Sequence, residues 1–399
     1  MKKILNKFLL LFYFFLTYFF SFPILAFIFI VRPFFILKIG ELETRAIGHS
    51  SISIEIFLCE IEKKIHDKKR KEIYIWFRNR DIANRFLYQK WKEKLIIIPG
   101  IFLEGAYNLS RYLKFNKFYC FPYRHWKDDV FNWGIIDIHN VLKETEPKIV
   151  FNKKEKELGE LFLNSLNINY KDNFVSFFNR DKSFRKEKNK TVRNSSIFKM
   201  IPAINELTKK NYKAIRLGAK TNEILKSDKT IFDYSNSGLR SEFLDIYIIY
   251  RSKFVISDDT GLNMVPAMFR KKQLILNYIN FASTLKENHN FIKFILPKKI
   301  FDIRKNSLIS LDKILKDKLY NIEFSDEFEK KGYQVIDNSE EEILASVIEM
   351  YEYIEFGKIN SKFENKNRIY NKLINNHFSI DRVIPKISSV FFEKFDDFV

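Results

Sequence analysis

Residues 253–266, Lys-Phe-Val-Ile-Ser-Asp-Asp-Thr-Gly-Leu-Asn-Met-Val-Pro, carry an apolar run into a polar turn and out into a second apolar segment. Phe254–Ile256 has the composition of a buried strand, and Leu262–Phe269 that of a helix. Backbone N–H groups at such a strand-to-helix turn lack partners, and the helix dipole adds positive potential. Gly261 lets a ligand approach the backbone, Thr260 adds a hydroxyl and Asp259 an acceptor. Such a turn suits phosphate groups. The same residues also serve an ordinary strand-to-helix turn in which Asp or Thr caps the helix.

The second half of the chain places further polar residues after apolar runs, where open α/β sheets collect their ligands. They are Arg180-Asp181, Arg216 with Gly218, and Asp233-Tyr234-Ser235. Two arginines and a Gly/Thr turn on one edge are what a pyrophosphate requires, because guanidinium binds phosphate oxygens in pairs. Asp or Ser at neighbouring strand ends can accept from a ribose or a base. Salt bridges such as Arg180 with Asp181 are the plainer use of the same residues. In the first half, Thr44-Arg45-Ala46-Ile47-Gly48-His49 sets a lone histidine beside a glycine turn, a candidate general base. His66, His125, His139 and His289 have weaker contexts. Neither His-Glu-x-x-His nor a P-loop nor Gly-x-Ser-x-Gly occurs, and the chain contains no Asp-x-Asp triplet. Metal-bound nucleotide-sugar chemistry relying on that triplet is disfavoured, and no metal or cofactor is expected.

Elements that position these residues alternate along the chain. Ile52–Ile61 is apolar-periodic, Glu72–Phe77 reads as a strand, Ala83–Lys94 as a helix, Leu95–Ile98 as a strand, and 102–116 as helical. Phe34–Ile39 is either a membrane flank or a first strand. A second series has strands at Asn173–Phe178, Lys213–Leu217, Thr230–Tyr234, 253–257, 273–278 and Tyr333–Ile336. Its helices are Ser196–Lys210, 241–251, 262–270, and 340–355 behind the capping box Ser339-Glu-Glu-Glu342. This alternation predicts an α/β fold of parallel sheets covered by helices. The expected division is 1–39 as a membrane anchor or re-entrant segment, 40–168 and 169–355 as two α/β domains meeting near residues 150–170, and 356–399 as a helical tail.

With 399 residues, 46% of them hydrophobic, the chain has room for two cored domains. The net charge of +20 comes with an excess of Asn, Ile and Phe (43 Phe), the pattern of AT-rich codons. Basic residues are interleaved with Glu, as in Lys153–Glu160, rather than collected in one block, and an anionic membrane surface or a phosphorylated substrate explains the charge as well as nucleic acid does. Cys59 and Cys120 have no metal spacing and fit a reducing compartment. Phe8–Val31 is 24 residues without a charge, long enough to span a bilayer, with Pro23 near its middle. Lys2, Lys3 and Lys7 precede it and Arg32 and Lys38 follow. A single span and a hairpin turning at Pro23 are both open, and the catalytic part is expected at the cytoplasmic face of the inner membrane.

Together the segments resemble a family of bacterial glycosyltransferases found with surface-polysaccharide genes. The matching pieces run in order over roughly residues 40–355. They are Arg45-x-Ile47-Gly48-His49, Asn179-Arg180-Asp181, Arg193-Asn194 before a helix, Ala214-Ile-Arg-Leu-Gly218, Asp233-Tyr234-Ser235, Phe243-Leu244-Asp245, Ser257-Asp-Asp-Thr-Gly261 with Pro266, and Asp337-Asn338-Ser339. The resemblance implies a GT-B architecture, two Rossmann-like domains with the nucleotide sugar held mainly by the second. It places the donor among Arg180, Asp181, Arg193, Arg216, Gly218, Asp233, Tyr234, Asp259, Thr260 and Gly261, and the acceptor, a glycan or lipid-linked precursor, near His49. Arg180-Asp181 also looks like the arginine motif of fucosyltransferases, where a His commonly stands two residues before the Arg; Phe178 stands there in this chain. The expected activity is metal-independent sugar transfer. A non-catalytic, membrane-tethered nucleotide- or glycan-binding protein of the same fold, or a basic nucleic-acid binder, would carry the same composition.

Overall fold

The computed structural model describes residues 11–12, 15–66, 70–78, 81–112, 137, 139–183, 191–219, 221–279, 281, 291–379 and 384–399. They form two compact units, Met1–Val150 and Phe151–Val399.

In the first unit, strands β1 (Ile36–Leu42), β2 (Glu72–Arg78) and β3 (Ile96–Ile97) form a parallel sheet in that order. Parallel neighbours need crossovers, and helices Ile47–Glu62 and Arg85–Lys92 supply them. The second crossover begins at Asn84, whose side chain accepts from the Leu87 N–H at 2.8 Å. Helix Gly100–Tyr112 follows β3, and helix Ser21–Val31 precedes β1. One face of the sheet buries Leu37, Ile39 and Phe77 against Ile28, Leu103, Ala106 and Tyr107 of these two helices. Residues 36–42 are thus a sheet strand rather than a membrane flank. Helix Ser21–Val31 has 11 residues, and Pro23 lies in its first turn, where a missing N–H does no harm. Among the described residues no helix is long and apolar enough to cross a membrane.

The second unit is built on a seven-stranded parallel sheet. In chain order its strands are β4 (Phe174–Phe178), β5 (Lys213–Arg216), β6 (Ile231–Asp233), β7 (Phe254–Asp258), β8 (Gln273–Tyr278), β9 (Ile292–Pro297) and β13 (Lys386–Ile387). In space the order is β13-β9-β8-β7-β4-β5-β6. The chain winds outward from β4 to β6, returns to β7 on the other side of β4, and continues to β9. That reversal puts a topological switch point between β4 and β7. Every residue of β4, β7 and β8 is buried, as expected for strands covered on both faces.

The division after Val150 goes with helix Lys153–Ser165, which belongs to the second unit: Gly159 lies against the Tyr247 ring and Glu160 pairs with Arg251. Three features differ from the sequence expectation. The segment after 356 is not wholly helical; after helix Glu364–Phe378 it adds β13, whose Ile387 N–H donates to Asn367 at 2.8 Å. The helix expected over 262–270 is a 3-10 turn, Gly261–Asn263, followed by a short helix, Met264–Met268, and Arg270 at φ 60° ends it. Strand β12 (Tyr333–Ile336) joins β10 (Lys299–Asp302) and β11 (Ser307–Leu308) in a separate antiparallel sheet.

Candidate functional site

The register Phe178↔Ser257 brings the carboxyl ends of β4 and β7 side by side. Asn179-Arg180-Asp181 leaves one strand and Asp259-Thr260-Gly261 the other. Residues 193–195 tie both ends together. The Ser195 N–H donates to the Arg180 carbonyl at 2.9 Å, Asn179 Nδ2 to the Ser195 carbonyl at 2.9 Å, and the Ser195 hydroxyl to Asp258. Arg193 Nη2 donates to the Asp259 carbonyl at 2.9 Å and to its carboxylate at 3.2 Å. The Arg193 Nε is buried without a hydrogen-bond partner among the described residues, so the guanidinium keeps a donor in reserve. The structure therefore gathers Arg180, Asp181, Arg193 and Asp259 at the switch point. Thr260 acts more plainly, its hydroxyl accepting from the Leu262 N–H at 3.2 Å as a cap.

Beneath this edge lies a buried polar floor in which Asp258, Asp337 and Asn338, quoted above, meet Asn277 and Lys298, which sequence reasoning missed. Asp258 is fully enclosed, accepting from Ser195 and, at 3.0 Å, from Asn277 Nδ2. Asn277 takes a left-handed φ of 51°, which Asn tolerates, and exchanges two hydrogen bonds with Asn338 at 2.7 and 2.9 Å. Lys298 donates to Asp337 at 2.6 Å and to the Asn194 carbonyl at 3.0 Å; Lys199 faces Asp337 at 3.7 Å. Burial pushes the Asp258 carboxyl up to about 6, against the pull of Ser195, Asn277 and Lys298. Asn277 at the end of an apolar run was a visible signal. Lys298 was not, because β9 had not been recognised and so had no end.

The β5 and β6 ends are closed rather than open. Arg216 is fully buried, with Nη1 donating to the Glu223 carbonyl and, at 3.2 Å, to Asp233 across the strand pair. Asp233 also accepts from Leu225 N–H, Ser235 and Asn236 at 2.8, 2.5 and 2.9 Å. Burial raises its carboxyl, but these partners and Arg216 together hold it below its ordinary value. Tyr234 is enclosed too, its hydroxyl donating to the Ser241 carbonyl and accepting from the Ser241 N–H. Gly218 has no room for a side chain: a Cβ would come within 2.6 Å of Thr221. As placed, Arg216, Asp233, Tyr234 and Gly218 brace the fold. Arg216 Nη1 is committed to this ion pair, while its Nε and Nη2 are buried without a hydrogen-bond partner among the described residues. Asp181 links the two regions, its carboxylate accepting from the Asn222 N–H at 2.6 Å and the Ser183 N–H at 2.8 Å. Burial raises that carboxyl, and the hydrogen bonds from Ser183 and Asn222 more than reverse the effect.

In the first unit, His49 sits in the first turn of helix Ile47–Glu62, just past the carboxyl end of β1. It lines a shallow cleft, with room for little more than a water molecule, together with Glu41, Glu43, Thr44, Trp76 and Trp91. Thr44 is held by its hydroxyl on the Asp81 carbonyl (2.5 Å), and Trp91 by its indole N–H on the Ser50 carbonyl (2.7 Å). The arrangement puts an imidazole and two carboxylates around one concave surface. Other histidines are otherwise engaged: His66 faces Glu60 at 3.2 Å, and His377 meets Tyr320 at 3.1 Å. His139 is exposed, and His125 and His289 lie outside the described residues. Among the described residues, no group of three or more His, Cys, Asp or Glu is arranged to hold a metal ion.

No protein-family model matches the chain, and no curated protein does. Solved structures similar to it include a glycosyl transferase family 9 protein from Veillonella parvula, at 10% identity and TM-score 0.39, covering 60% of this chain and 80% of that one. ADP-heptose LPS heptosyltransferase II of E. coli is similar at 10% identity and TM-score 0.37, covering 60% and 84%. A Listeria monocytogenes protein assigned as a UDP-N-acetylglucosamine 2-epimerase is similar at 14% identity and TM-score 0.32, covering 80% and 97%. Likenesses this distant transfer no activity to the chain.

Proposed function

We propose that this chain is a glycosyltransferase of GT-B type, moving a sugar from a nucleotide-sugar donor to a surface glycan or its lipid-linked precursor. The observation that carries the reading is the switch point of the second unit, where Arg180 and Arg193 stand over the adjoining ends of β4 and β7. Open parallel sheets bind nucleotides at that position. Guanidinium groups there can take up the charge developing on a departing diphosphate without a metal ion. Asp181 and Asp259 hold the two loops in place and offer acceptors for a ribose. In the first unit His49, among Glu41 and Glu43, is the candidate base for the acceptor hydroxyl. Nucleotide sugars are made in the cytosol, so the catalytic part belongs at the cytoplasmic face of the inner membrane, attached through the N-terminal apolar segment.

Thermal unfolding of the full chain with UDP-, GDP-, ADP- and CMP-sugars tests the reading, followed by an assay for nucleotide release in the presence of lipid-linked acceptors. The expected result is stabilisation by one nucleotide class, lost in Arg193→Ala. Stabilisation by none would overturn it. Binding without release under every acceptor condition would point instead to a non-catalytic binding protein of the same fold.

A further inference from the structure

Helix Ser21–Val31 and the helical residues 15–19 before it, joined to it by the Phe20 N–H on the Leu16 carbonyl and the Ile24 N–H on the Phe20 carbonyl (both 3.2 Å), bury their small polar residues and expose their large apolar ones. Thr17 and Ser21 are 2% and 0% exposed, and the Ser21 hydroxyl donates to the Thr17 carbonyl at 3.0 Å. They face Gly105 of helix Gly100–Tyr112, where an added Cβ would come within 2.3 Å of the Thr17 carbonyl oxygen and 2.4 Å of the Ser21 hydroxyl. Small residues let two backbones approach this closely. Farther along the same face, Ile28 enters the core of the first unit, with Ile24, Leu25 and Val31 packed beside it. The outward face carries Phe15, Phe19, Phe22, Phe29 and Ile30, each between 62% and 69% exposed. Phe34 just beyond the helix is 80% exposed. A surface evolved for water has the opposite arrangement, and a contiguous patch of this kind marks an interaction site.

Charge selects the occupant. Arg70 and Lys71 are exposed at the helix's carboxyl end, fixed there by Arg70 Nη1 on the Arg32 carbonyl (3.2 Å) and by the Ile36 N–H on the Lys71 carbonyl (2.9 Å). Two copies pairing over this face would bring like-charged rims together. Aromatic side chains beside basic ones match an anionic bilayer surface. We propose that the first unit docks on an anionic membrane monotopically, with helix Ser21–Val31 lying in the interface plane, one face in the protein and the phenylalanine face among the acyl chains. This deepens the membrane attachment proposed above and does not depend on the sugar-transfer reading. The helix does not swing free to span: its Ile28 and Ser21 face belongs to the core.

Flotation of the full chain with phosphatidylcholine vesicles, with and without phosphatidylglycerol, reads the docking directly. Binding is expected to rise roughly tenfold with the anionic lipid and to weaken with salt. Phe22→Ser with Phe29→Ser should lower it roughly tenfold or more. Single variants Phe19→Trp and Phe29→Trp, which keep the patch apolar, then report depth through quenching by brominated lipids. Equal, shallow depths at both positions support the in-plane mode. Depths differing by the better part of a leaflet would overturn it in favour of a spanning segment while leaving attachment intact. A chain that stays off vesicles, or pairs with itself instead, would overturn both. Nucleotide stabilisation of the second unit, measured alongside, keeps this failure separate from failure of the transferase reading.

Discussion

Replacing Asp258 with Asn should make the protein more stable at neutral pH, although Asp258 sits in a hydrogen-bonded network at the candidate donor site. The carboxyl is fully enclosed at the end of β7, and burial raises it to about 6 in the folded chain. In the unfolded chain an Asp titrates near about 3.9. Between roughly pH 4 and pH 6 the folded state therefore holds a proton that the unfolded state has lost. Stability from this group consequently falls as pH rises through that window and stays reduced above it. Two pH units correspond to about 3 kcal/mol, at roughly 1.4 kcal/mol each. The side chain introduced by Asp258→Asn would carry no charge; its Oδ1 could still accept from Asn277 Nδ2, and its amide could donate to Ser195 once that hydroxyl turns. The assay is urea unfolding of both proteins across this range, scored as the variant-minus-wild-type difference. Asp245, also raised to about 6 by burial, titrates identically in both proteins and cancels. The difference should shift toward the variant by about 3 kcal/mol between about pH 4 and pH 7.5. A flat difference, or one moving toward wild type, would refute the reasoning. It would mean that Lys298 and the two hydrogen bonds outweigh desolvation and keep the carboxylate charged at little expense.

Other expectations follow from the same geometry. Arg216→Ala should lower stability by about 3–5 kcal/mol in chemical denaturation, because it strands the Asp233 carboxylate in a buried site; a variant that unfolds normally yet loses nucleotide binding would restore Arg216 to the phosphates. Arg180→Ala and Arg193→Ala should each weaken nucleotide-diphosphate binding by about 1–3 kcal/mol in calorimetry, the scale of a charged hydrogen bond, and unchanged affinity in both would remove the switch point as the donor site. His49→Ala should lower turnover by roughly 10²- to 10⁴-fold with donor affinity retained; a loss of folding rather than turnover would make His49 structural.

What the sequence disclosed and withheld divides along physical lines. Strands β4, β7 and β8 are legible because burial on both faces leaves uninterrupted apolar runs ending in polar residues. β9 is harder, because Lys293 interrupts its run and lies over the Tyr353 ring at 4.1 Å, shielded by a contact distant in sequence. β13 has two residues and exists only because β9 offers an edge. At the site, composition and order pointed to strand ends but could not say what each side chain faces. Arg216 and Asp233 both look like ligand hands until the register sets them opposite each other, where each neutralises its partner. Asp258 and Asp259 are adjacent and identical in type, yet alternation along an extended chain sends one into the floor and the other to Arg193. The N-terminal stretch is apolar all round, so its hydrophobicity alone allows a span, a hairpin or a packed helix. What hydrophobicity does not show is that Thr17 and Ser21 meet Gly105, where small residues let two backbones approach and leave the phenylalanines facing outward.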